Sequence, residues 1–285
     1  MKNLIVLFCL FVAVVSCSGP SARHTQPAEK EVVTIDTSVV RETYIEDTLI
    51  LVEETIPLAA DENFPDFFYL FSTDEQYQLQ RIVFPIPVYR DSVVQKISEE
   101  DWKHDFLFSR DDAYTLLFNA ESEMELEKDT SHNSVQIDMF YLERKDFQRY
   151  YFEKKNGRWM LEAINHGHIE YGQTEEDFFE FYDRFSSDSI FQESRLRHPV
   201  VFVTPDPDDE FSFVETTLDE GQWFAFQPPM TPHRLTNVIY GQKRQEGSHT
   251  KIVEYKGFGN GFCNVLHFHR VDGQWQLAKL EDLSD

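Results

Sequence analysis

Aromatic residues recur at helical spacing in two places along the chain. The first set lies at positions i, i+3, i+4 and i+7 and consists of Phe64, Phe67, Phe68 and Phe71. The same spacing returns in a second set, formed by Phe178, Phe181, Tyr182 and Phe185. Each set predicts a helix with one aromatic face, and we expect a sheet to cover that face.

The residues that follow the two helices also recur in the same order. Thr73 and Asp74 can cap a second, shorter helix in the first copy. The turn Ser72-Thr73-Asp74 recurs as Ser186-Ser187-Asp188 before the second short helix of the second copy. An Arg-x-x-x-Pro spacing comes next in both copies, and its members are Arg81, Pro85, Arg195 and Pro199. The chain is therefore predicted to contain a tandem duplication.

Runs of β-branched and aromatic residues after each helix pair predict strands. In the first copy these are 113–119, 135–143, 147–154 and 158–164; in the second they are 199–203, 235–240, 251–256, 263–271 and 274–280. Segment 84–88 is predicted to be an edge strand because its prolines cannot donate to a central ladder. Segment 102–108 is predicted to be a helix or a turn. Two-residue hairpin turns are expected at Asn156-Gly157 and Asp272-Gly273.

Helices followed by consecutive strands predict an α+β fold. We expect two tandem cone-shaped units, each with N-terminal helices packed on a curved antiparallel sheet. The first unit is predicted at 61–166, a linker at 167–174 and the second unit at 175–285. Each unit is expected to have its own aromatic core, separate from the core of the other.

The N-terminal segment is typical of a bacterial lipoprotein signal. Lys2 precedes an apolar run, 4–15, that is too short to span a membrane comfortably and that ends near Cys17. We predict that 1–16 is a signal peptide, that Cys17 is lipidated, and that 17–60 is a flexible tether. An ordinary secretory signal with a chance cysteine is the alternative.

The charge of the chain excludes one class of partner. With 26 basic and 51 acidic residues, the formal net charge is −25, which repels the phosphate backbone of nucleic acids. Once Cys9 has left with the signal and Cys17 carries lipid, only Cys263 remains, so no intramolecular disulfide is expected. We expect Cys263 to be a small buried residue, with a catalytic thiol as the alternative.

Two arginines are candidate anion or ligand contacts. Arg81 and Arg195 are the only basic residues carried through both helical motifs. The alternative is structural: each would bind carbonyls at a helix end or pair with a carboxylate such as Asp74 or Asp188.

His267 and His269 are the candidate metal or ligand pair, because residues two apart on a strand project from one face. Phe268 matches Phe152 in the first copy and is expected to face the core, which turns both histidines to the other face of the sheet. A solvated or interface pair is therefore the favoured alternative to a zinc site. We predict no catalytic, cofactor-binding or metal-binding residue and no cofactor.

Other segments with chemical potential have simpler interpretations. His166-Gly167-His168 is predicted to be part of a flexible loop between the units, 206–210 an exposed acidic turn, and the glycine-rich 257–261 a hairpin turn. His233 with Arg234, His198, or Asp138 are possible acid/base groups, but the sequence assigns none of them a partner.

The order of elements resembles the cone-shaped nuclear-transport-factor-like folds of the cystatin-related class. The chain as a whole resembles a family of Bacteroidetes outer-membrane lipoproteins known only as a domain of unknown function. The resemblance is carried by the lipobox, the paired Phe-rich helices, the Arg-x-x-x-Pro spacing and the Gly-x-Trp hairpins. It implies a fold and a place in the outer membrane facing the periplasm, with the cell surface as the alternative. It implies no catalytic residue.

Together these features favour a cell-envelope lipoprotein with a non-catalytic role, either ligand- or protein-binding or structural. Its expected partners are the membrane, through the lipid anchor, and an envelope protein or small ligand. The alternative is a small-pocket hydrolase or isomerase with an acid/base pair inside one cone. A dry pocket with such a pair would favour the enzyme, whereas a core filled by Phe would favour the non-catalytic roles.

Overall fold

The helix pairs form where the aromatic spacing predicts them. This computed structural model describes residues 59–170, 176–241 and 248–284, within a compact unit that comprises Ile56–Asp285. The first pair is α1, Phe64–Thr73, and α2, Glu75–Gln80. The second pair is α3, Phe178–Ser187, and α4, Ser189–Ser194.

Aspartate caps begin the second helix of each pair, as predicted for the first pair. The Asp74 carboxylate accepts hydrogen bonds from the backbone N–H groups of Gln76 and Tyr77 at 2.9 and 3.0 Å. Asp188 caps α4 in the same way. Because the first N–H groups of a helix have no partner within it, such caps fix where each helix starts.

The strands follow in the same order in both halves. The first half contains β1 Ile86–Arg90, β2 Val93–Ile97, β3 Ala113–Phe118, β4 Ser134–Tyr141, β5 Asp146–Lys155 and β6 Arg158–His168. The second half contains β7 Leu196–Asp206, β8 Asp209–Leu218, β9 Arg234–Ile239, β10 Thr250–Gly257, β11 Cys263–Val271 and β12 Gln274–Asp282. A short 3₁₀ helix, Glu121–Lys128, follows β3, and a four-residue helix α5, Trp223–Phe226, precedes β9. Segment 102–108 forms no helix.

The two halves exchange one strand each. The first sheet has the order β2-β1-β6-β5-β4-β9 and the second has the order β8-β7-β12-β11-β10-β3. Each sheet is antiparallel apart from one parallel pairing, β1 with β6 and β7 with β12. The α+β fold is therefore as predicted, but strand β3 completes the sheet of the second half and β9 completes the sheet of the first.

Two threonines join the exchanged strands by reciprocal hydrogen bonds. The Thr115 N–H donates to Thr236 Oγ1, and the Thr236 N–H donates to Thr115 Oγ1, both at 2.7 Å. Each hydroxyl in turn donates to the other residue's carbonyl oxygen, at 2.8 and 2.9 Å. Both residues are buried. Because each makes the same hydrogen bonds to the other, the two strands have a local pseudo-twofold relation where they cross.

The aromatic residues form two separate clusters, as expected, but neither cluster is built from one half alone. The cluster around α1 includes Val238 and Ile252 from the second half, and the cluster around α3 includes Phe140 and Leu142 from the first half. The exchanged strands and the strands beside them carry these side chains across. The predicted boundaries of the repeats stay a prediction, although β6 extends to His168 and so enters the predicted linker.

The predictions for three strands, β1, β2 and β8, also need correction. Segment β1 is not an edge strand, because it lies between β2 and β6. Its Pro87 lies opposite Lys96 of β2, and Val88 lies opposite Ile164 of β6. Strands β2 and β8 were not predicted; β2 is exposed along most of its length, so it lacks the alternation of apolar and polar residues that indicates a half-buried strand.

The hairpin predictions are confirmed. Asn156 and Gly157 have φ values of 51° and 80°, and Asp272 and Gly273 have values of 50° and 80°. These positive φ angles suit a tight turn between twisted antiparallel strands.

The predicted signal peptide, Cys17 and the tether lie outside the described residues. In the part of the chain that the structure describes, no helix is both long and apolar enough to cross a membrane.

We expect Phe67→Ala and Phe181→Ala each to lower the free energy of unfolding by about 3–5 kcal/mol, since each substitution leaves a cavity in a packed core. The two side chains are 0 % and 1 % exposed. Phe211, which is 86 % exposed, provides the control, and Phe211→Ala should change stability by no more than about 0.5 kcal/mol. Urea denaturation measures all three, and a near-wild-type stability for either core variant would contradict the packing described here.

Candidate functional site

The candidate Arg81 lies in the core of the first half; both of its terminal nitrogens are paired, whereas its buried Nε has no hydrogen-bond partner among the described residues. Its guanidinium donates to both carboxylate oxygens of Asp61 at 2.9 Å, and the two side chains are 1 % and 2 % exposed. Asp61 Oδ1 also accepts the backbone N–H of Trp159 at 3.0 Å, and the Arg81 guanidinium lies 4.6 Å from the ring centre of Tyr77. The pair thus ties the start of the helices to the strand β6.

Arg195 has the corresponding place in the second half. It donates to both carboxylate oxygens of Glu176 at 2.8 Å, and Glu176 accepts the backbone N–H of Trp275 at 2.7 Å. The arginines therefore pair with carboxylates that precede the helices, whereas Asp74 and Asp188 cap helices. Both arginines are engaged in holding the fold.

The candidates His267 and His269 lie on the face of β11 that is turned away from the Phe268 ring, as alternation requires. His267 is buried, and its Nε2 lies 2.5 Å from Glu281 Oε1; this hydrogen bond lowers the pKa of Glu281 to about 2. Burial, followed by the charges of His267 and Arg197, lowers the pKa of His269. Within the described residues, no group of three or more His, Cys, Asp or Glu side chains is arranged to hold a metal ion.

The interiors of both halves are filled by aromatic rings in matching arrangements. The Phe152 ring lies 5.3, 5.7 and 5.2 Å from those of Phe64, Phe67 and Phe71. Phe268 occupies the same position in the second half, at 5.5, 5.5 and 5.3 Å from the rings of Phe178, Phe181 and Phe185. These edge-to-face contacts occupy the space beneath each helix pair.

An open space lies on the face of the first sheet that is turned away from the helices α1 and α2. It has a volume of about 530 Å³, and we call it the central cleft; it is defined by Gln136, Asp138, Phe140, Phe147, Arg149 and Phe179. These residues come from β4, β5 and the start of α3. The ends of the exchanged strands β3 and β9 complete the walls, so the cleft is made by both halves of the chain.

The central cleft contains an ion pair between the buried Asp138 and the half-buried Arg149. Arg149 donates through Nε and an Nη atom to both oxygens of Asp138 at 2.6 Å, with side-chain exposures of 28 % and 1 %. The hydrogen bond with Asp138 raises the pKa of Arg149. In the second half, Glu254 corresponds to Asp138 and Val265 corresponds to Arg149, because both pairs lie at the same distance along the strands from the matching rings Phe152 and Phe268. The second half therefore forms the same sheet without this arginine.

Glu254 occupies a closed environment in which Cys263 Sγ lies 3.6 Å from Glu254 Oε1. Burial, followed by the charge of Glu254, raises the pKa of Cys263 to about 12. Such a thiol is protonated at neutral pH and is a poor nucleophile. Cys263 is half-buried, however, and not fully buried as expected.

The remaining acid/base candidates are held in surface pairs. His233 Nδ1 lies 2.9 Å from Asp183 Oδ1, and Arg234 lies 2.8 Å from Asp111. His198 is exposed on β7. None of these residues lines the central cleft or a second cavity at one end of the first sheet.

A second cavity, of about 410 Å³, lies where β1, β5 and β6 meet the turn between β4 and β5. We call it the rim pocket; it is defined by Arg90, Tyr141, Arg144, Asp146, Gln148 and His166. Its floor is close-packed, because a Cβ atom on Gly167 would lie only 2.6 Å from Cζ of Phe147.

The rim pocket corrects the interpretation of His166-Gly167-His168. These residues are the last part of β6 and not a loop. Alternate residues of a strand lie on one face, so His166 and His168 lie on the same face of β6 as the buried Ile164. Extending this alternation beyond residue 164 of the sequence would have predicted their position.

The crystal structure of one similar protein agrees with this architecture. The crystal structure of an NTF2-like protein from Bacteroides fragilis, at 2.15 Å resolution, matches with 49 % identity and a TM-score of 0.78, covering 81 % of this chain and 100 % of that one. The structure of a cystatin-like protein from Bacteroides caccae matches with 20 % identity and a TM-score of 0.27, over 40 % of this chain and 80 % of that one. Among curated proteins, none matches the chain.

Residues 43–282 match the family described as "Domain of unknown function (DUF4348)". The chain belongs to this family. The predicted α+β architecture with an NTF2-like fold is thereby confirmed, and the family carries no assigned activity.

We expect Asp61→Ala to lower the free energy of unfolding by about 3–5 kcal/mol, because it leaves the buried charge of Arg81 without a partner. Glu176→Ala should cost less, about 1–3 kcal/mol, since Arg195 and Glu176 are 13 % and 21 % exposed and water can replace part of the pairing. Urea denaturation compares the two, with the exposed Glu193→Ala as a control. Equal, small losses for both variants would contradict the role given to the pairs.

Proposed function

We propose that this member of the DUF4348 family is a lipid-anchored protein of the cell envelope that binds a small ligand in its central cleft and does not transform it. The anchor is Cys17, residues 17–60 are the tether, and the protein is held at the outer membrane facing the periplasm. The observation that carries the binding role is the pair of buried Asp138 and half-buried Arg149 within an open cleft.

The Asp138–Arg149 pair supports a ligand-binding role because the second half forms the corresponding sheet without such a pair. Removing the Asp138 carboxylate from water is costly, and an ion pair that compensates such a cost seldom adds stability over apolar residues of similar size. The second half has Val265 at the position of Arg149 and still forms the corresponding sheet. A guanidinium has five N–H donors, more than the two that Asp138 engages, so Arg149 has donors that can face a ligand.

The shape and composition of the central cleft suit a ligand with both apolar and polar parts. Its volume, about 530 Å³, falls within the range of roughly 300–1,000 Å³ that is usual for small-molecule sites. The Phe140 ring lies 4.7 Å from Phe179 and 6.4 Å from Phe147, so three rings form one apolar wall. Gln136 and Arg149 provide polar groups beside that wall.

The filled interiors support binding over the small-pocket enzyme. An enzyme of that kind needs an enclosed space with an acid/base pair inside one half. Here the Phe152 and Phe268 rings occupy the corresponding positions in the two halves. The space for a ligand therefore lies outside the two aromatic cores.

We expect Gln136→Trp to block the central cleft. Gln136 is half-buried, and a larger ring there fills the space between β4 and the Phe179 wall. Native mass spectrometry of protein purified from its own host should show a bound small molecule on the wild type and none on this variant. Gln95→Trp on the exposed face of β2 is the matched control and should keep the ligand. Equal occupancy in both variants would contradict binding in the cleft.

We expect Cys17→Ser to abolish labelling by an alkyne-tagged palmitate and to release the protein from the membrane fraction. The reason is that acyl chains on this cysteine are the proposed anchor. Labelling of Cys17→Ser at the wild-type level would contradict the lipid anchor and would leave the cleft test unaffected.

A further inference from the structure

Three polar residues form a row across one end of the first sheet. Arg90 of β1 lies opposite His166 of β6, and His166 lies opposite Gln148 of β5. Residues opposite each other on paired strands point to the same face and lie close enough for their side chains to interact. All three line the rim pocket.

Of the three residues in the row, Gln148 has a hydrogen-bond partner, whereas Arg90 and His166 have none in the described ranges. Gln148 donates through Nε2 to the Tyr150 hydroxyl at 2.7 Å, and that hydroxyl donates to Asp105 at 2.5 Å. Neither Arg90 nor His166 makes a hydrogen bond or an ion pair with any residue in the described ranges. A guanidinium and an imidazole thus stand side by side, both open to the pocket.

The other charges around the pocket do not neutralise these two groups. Asp146 accepts from His168 at 2.8 Å and lies 3.8 Å from Arg144, so its charge is already shared. Arg144 also lies over the Tyr141 ring, 4.5 Å from its centre. Asp91, next to Arg90 in the turn, is exposed. On a chain of net charge −25, this cavity is lined by two arginines, Arg90 and Arg144, beside two aspartates, Asp91 and Asp146, and Arg90 is the arginine without a carboxylate partner in the described ranges.

The second half shows that the fold does not need this row. Its strands β7, β12 and β11 place Thr204, Asp282 and Asn264 at the corresponding positions. There the Asn264 amide donates to Asp282 at 2.9 Å, so the polar groups satisfy one another without any cation. Arg90 and His166 are therefore additions to a sheet that forms equally well without them.

We propose that the rim pocket binds the oxyanion group of a small molecule, a phosphate or a carboxylate, between Arg90 and His166. Arg144 lies at the mouth of the pocket and adds to its positive potential. Arginine recognises such groups well because its planar N–H donors match two oxygens at once. The rim pocket is a different cavity from the central cleft, although Phe147 and His168 line both, and the oxyanion site does not depend on the proposed function.

The neighbouring charges make the binding depend on pH. Burial, followed by the positive charge of Arg90, lowers the pKa of His166, while Asp105 and Asp146 act in the opposite direction. An oxyanion beside the imidazole favours its protonated form. Binding therefore takes up a proton, and the affinity should rise as the pH falls from about 8 to about 6.

The test is isothermal titration of the full-length protein with sulfate, a tetrahedral dianion whose charge stays constant over this pH range. We expect saturable binding to the wild type that tightens as the pH falls. Arg90→Gln should weaken it about tenfold or more, because a charge-assisted hydrogen bond to the anion is lost. His166→Asn should remove the pH dependence.

Arg197→Gln is the matched control, because it removes the same charge from an exposed position of β7 outside the pocket. This variant should bind sulfate like the wild type. Acetate, titrated in parallel, separates a carboxylate site from a site for tetrahedral anions. The proposal is overturned if neither anion binds the wild type saturably at pH 6, or if Arg90→Gln and Arg197→Gln weaken binding equally.

Discussion

The exchange of β3 and β9 is the constraint on which the rest of the structure depends. Each strand leaves its own half and completes the sheet of the other, and the reciprocal Thr115–Thr236 hydrogen bonds fix the crossing. Buried backbone groups that lose their partners are costly, so neither sheet can close at this edge without the other half. The same exchange brings β3, β9 and α3 beside the outer face of β4 and so creates the central cleft.

A duplicated fold allows one half to serve as the reference for the other. Positions that hold the fold keep the same interaction in both halves: Arg81 with Asp61, and Arg195 with Glu176. Positions that differ identify chemistry that the fold does not require. Arg149 corresponds to Val265, and His166 corresponds to Asp282. Both of these departures lie in the first half, and each lines one of the two larger cavities.

Local patterns in the sequence predicted local structure well. The aromatic spacing, the capping aspartates and the Asn-Gly and Asp-Gly turns place the four main helices and both closing hairpins, because each depends on neighbouring residues. The exchange could not be predicted in this way, since the alternation within β3 is the same whichever strand lies beside it. Strand β2 lacks a buried face, and His166 lies beyond the apolar run 158–164 that predicted the strand, so it was placed in the connection between the units.

The most direct test of the interlocked fold is hydrogen exchange of the intact protein, measured by mass spectrometry at increasing urea concentrations. The amides of β5 in the first sheet and of β11 in the second report on the two halves separately. Because each sheet needs a strand from the other half, we expect both sets to become exposed in a single transition with the same free energy of opening. If one set opens at a clearly lower urea concentration while the other stays protected, the halves fold independently and the exchange is not the constraint described here.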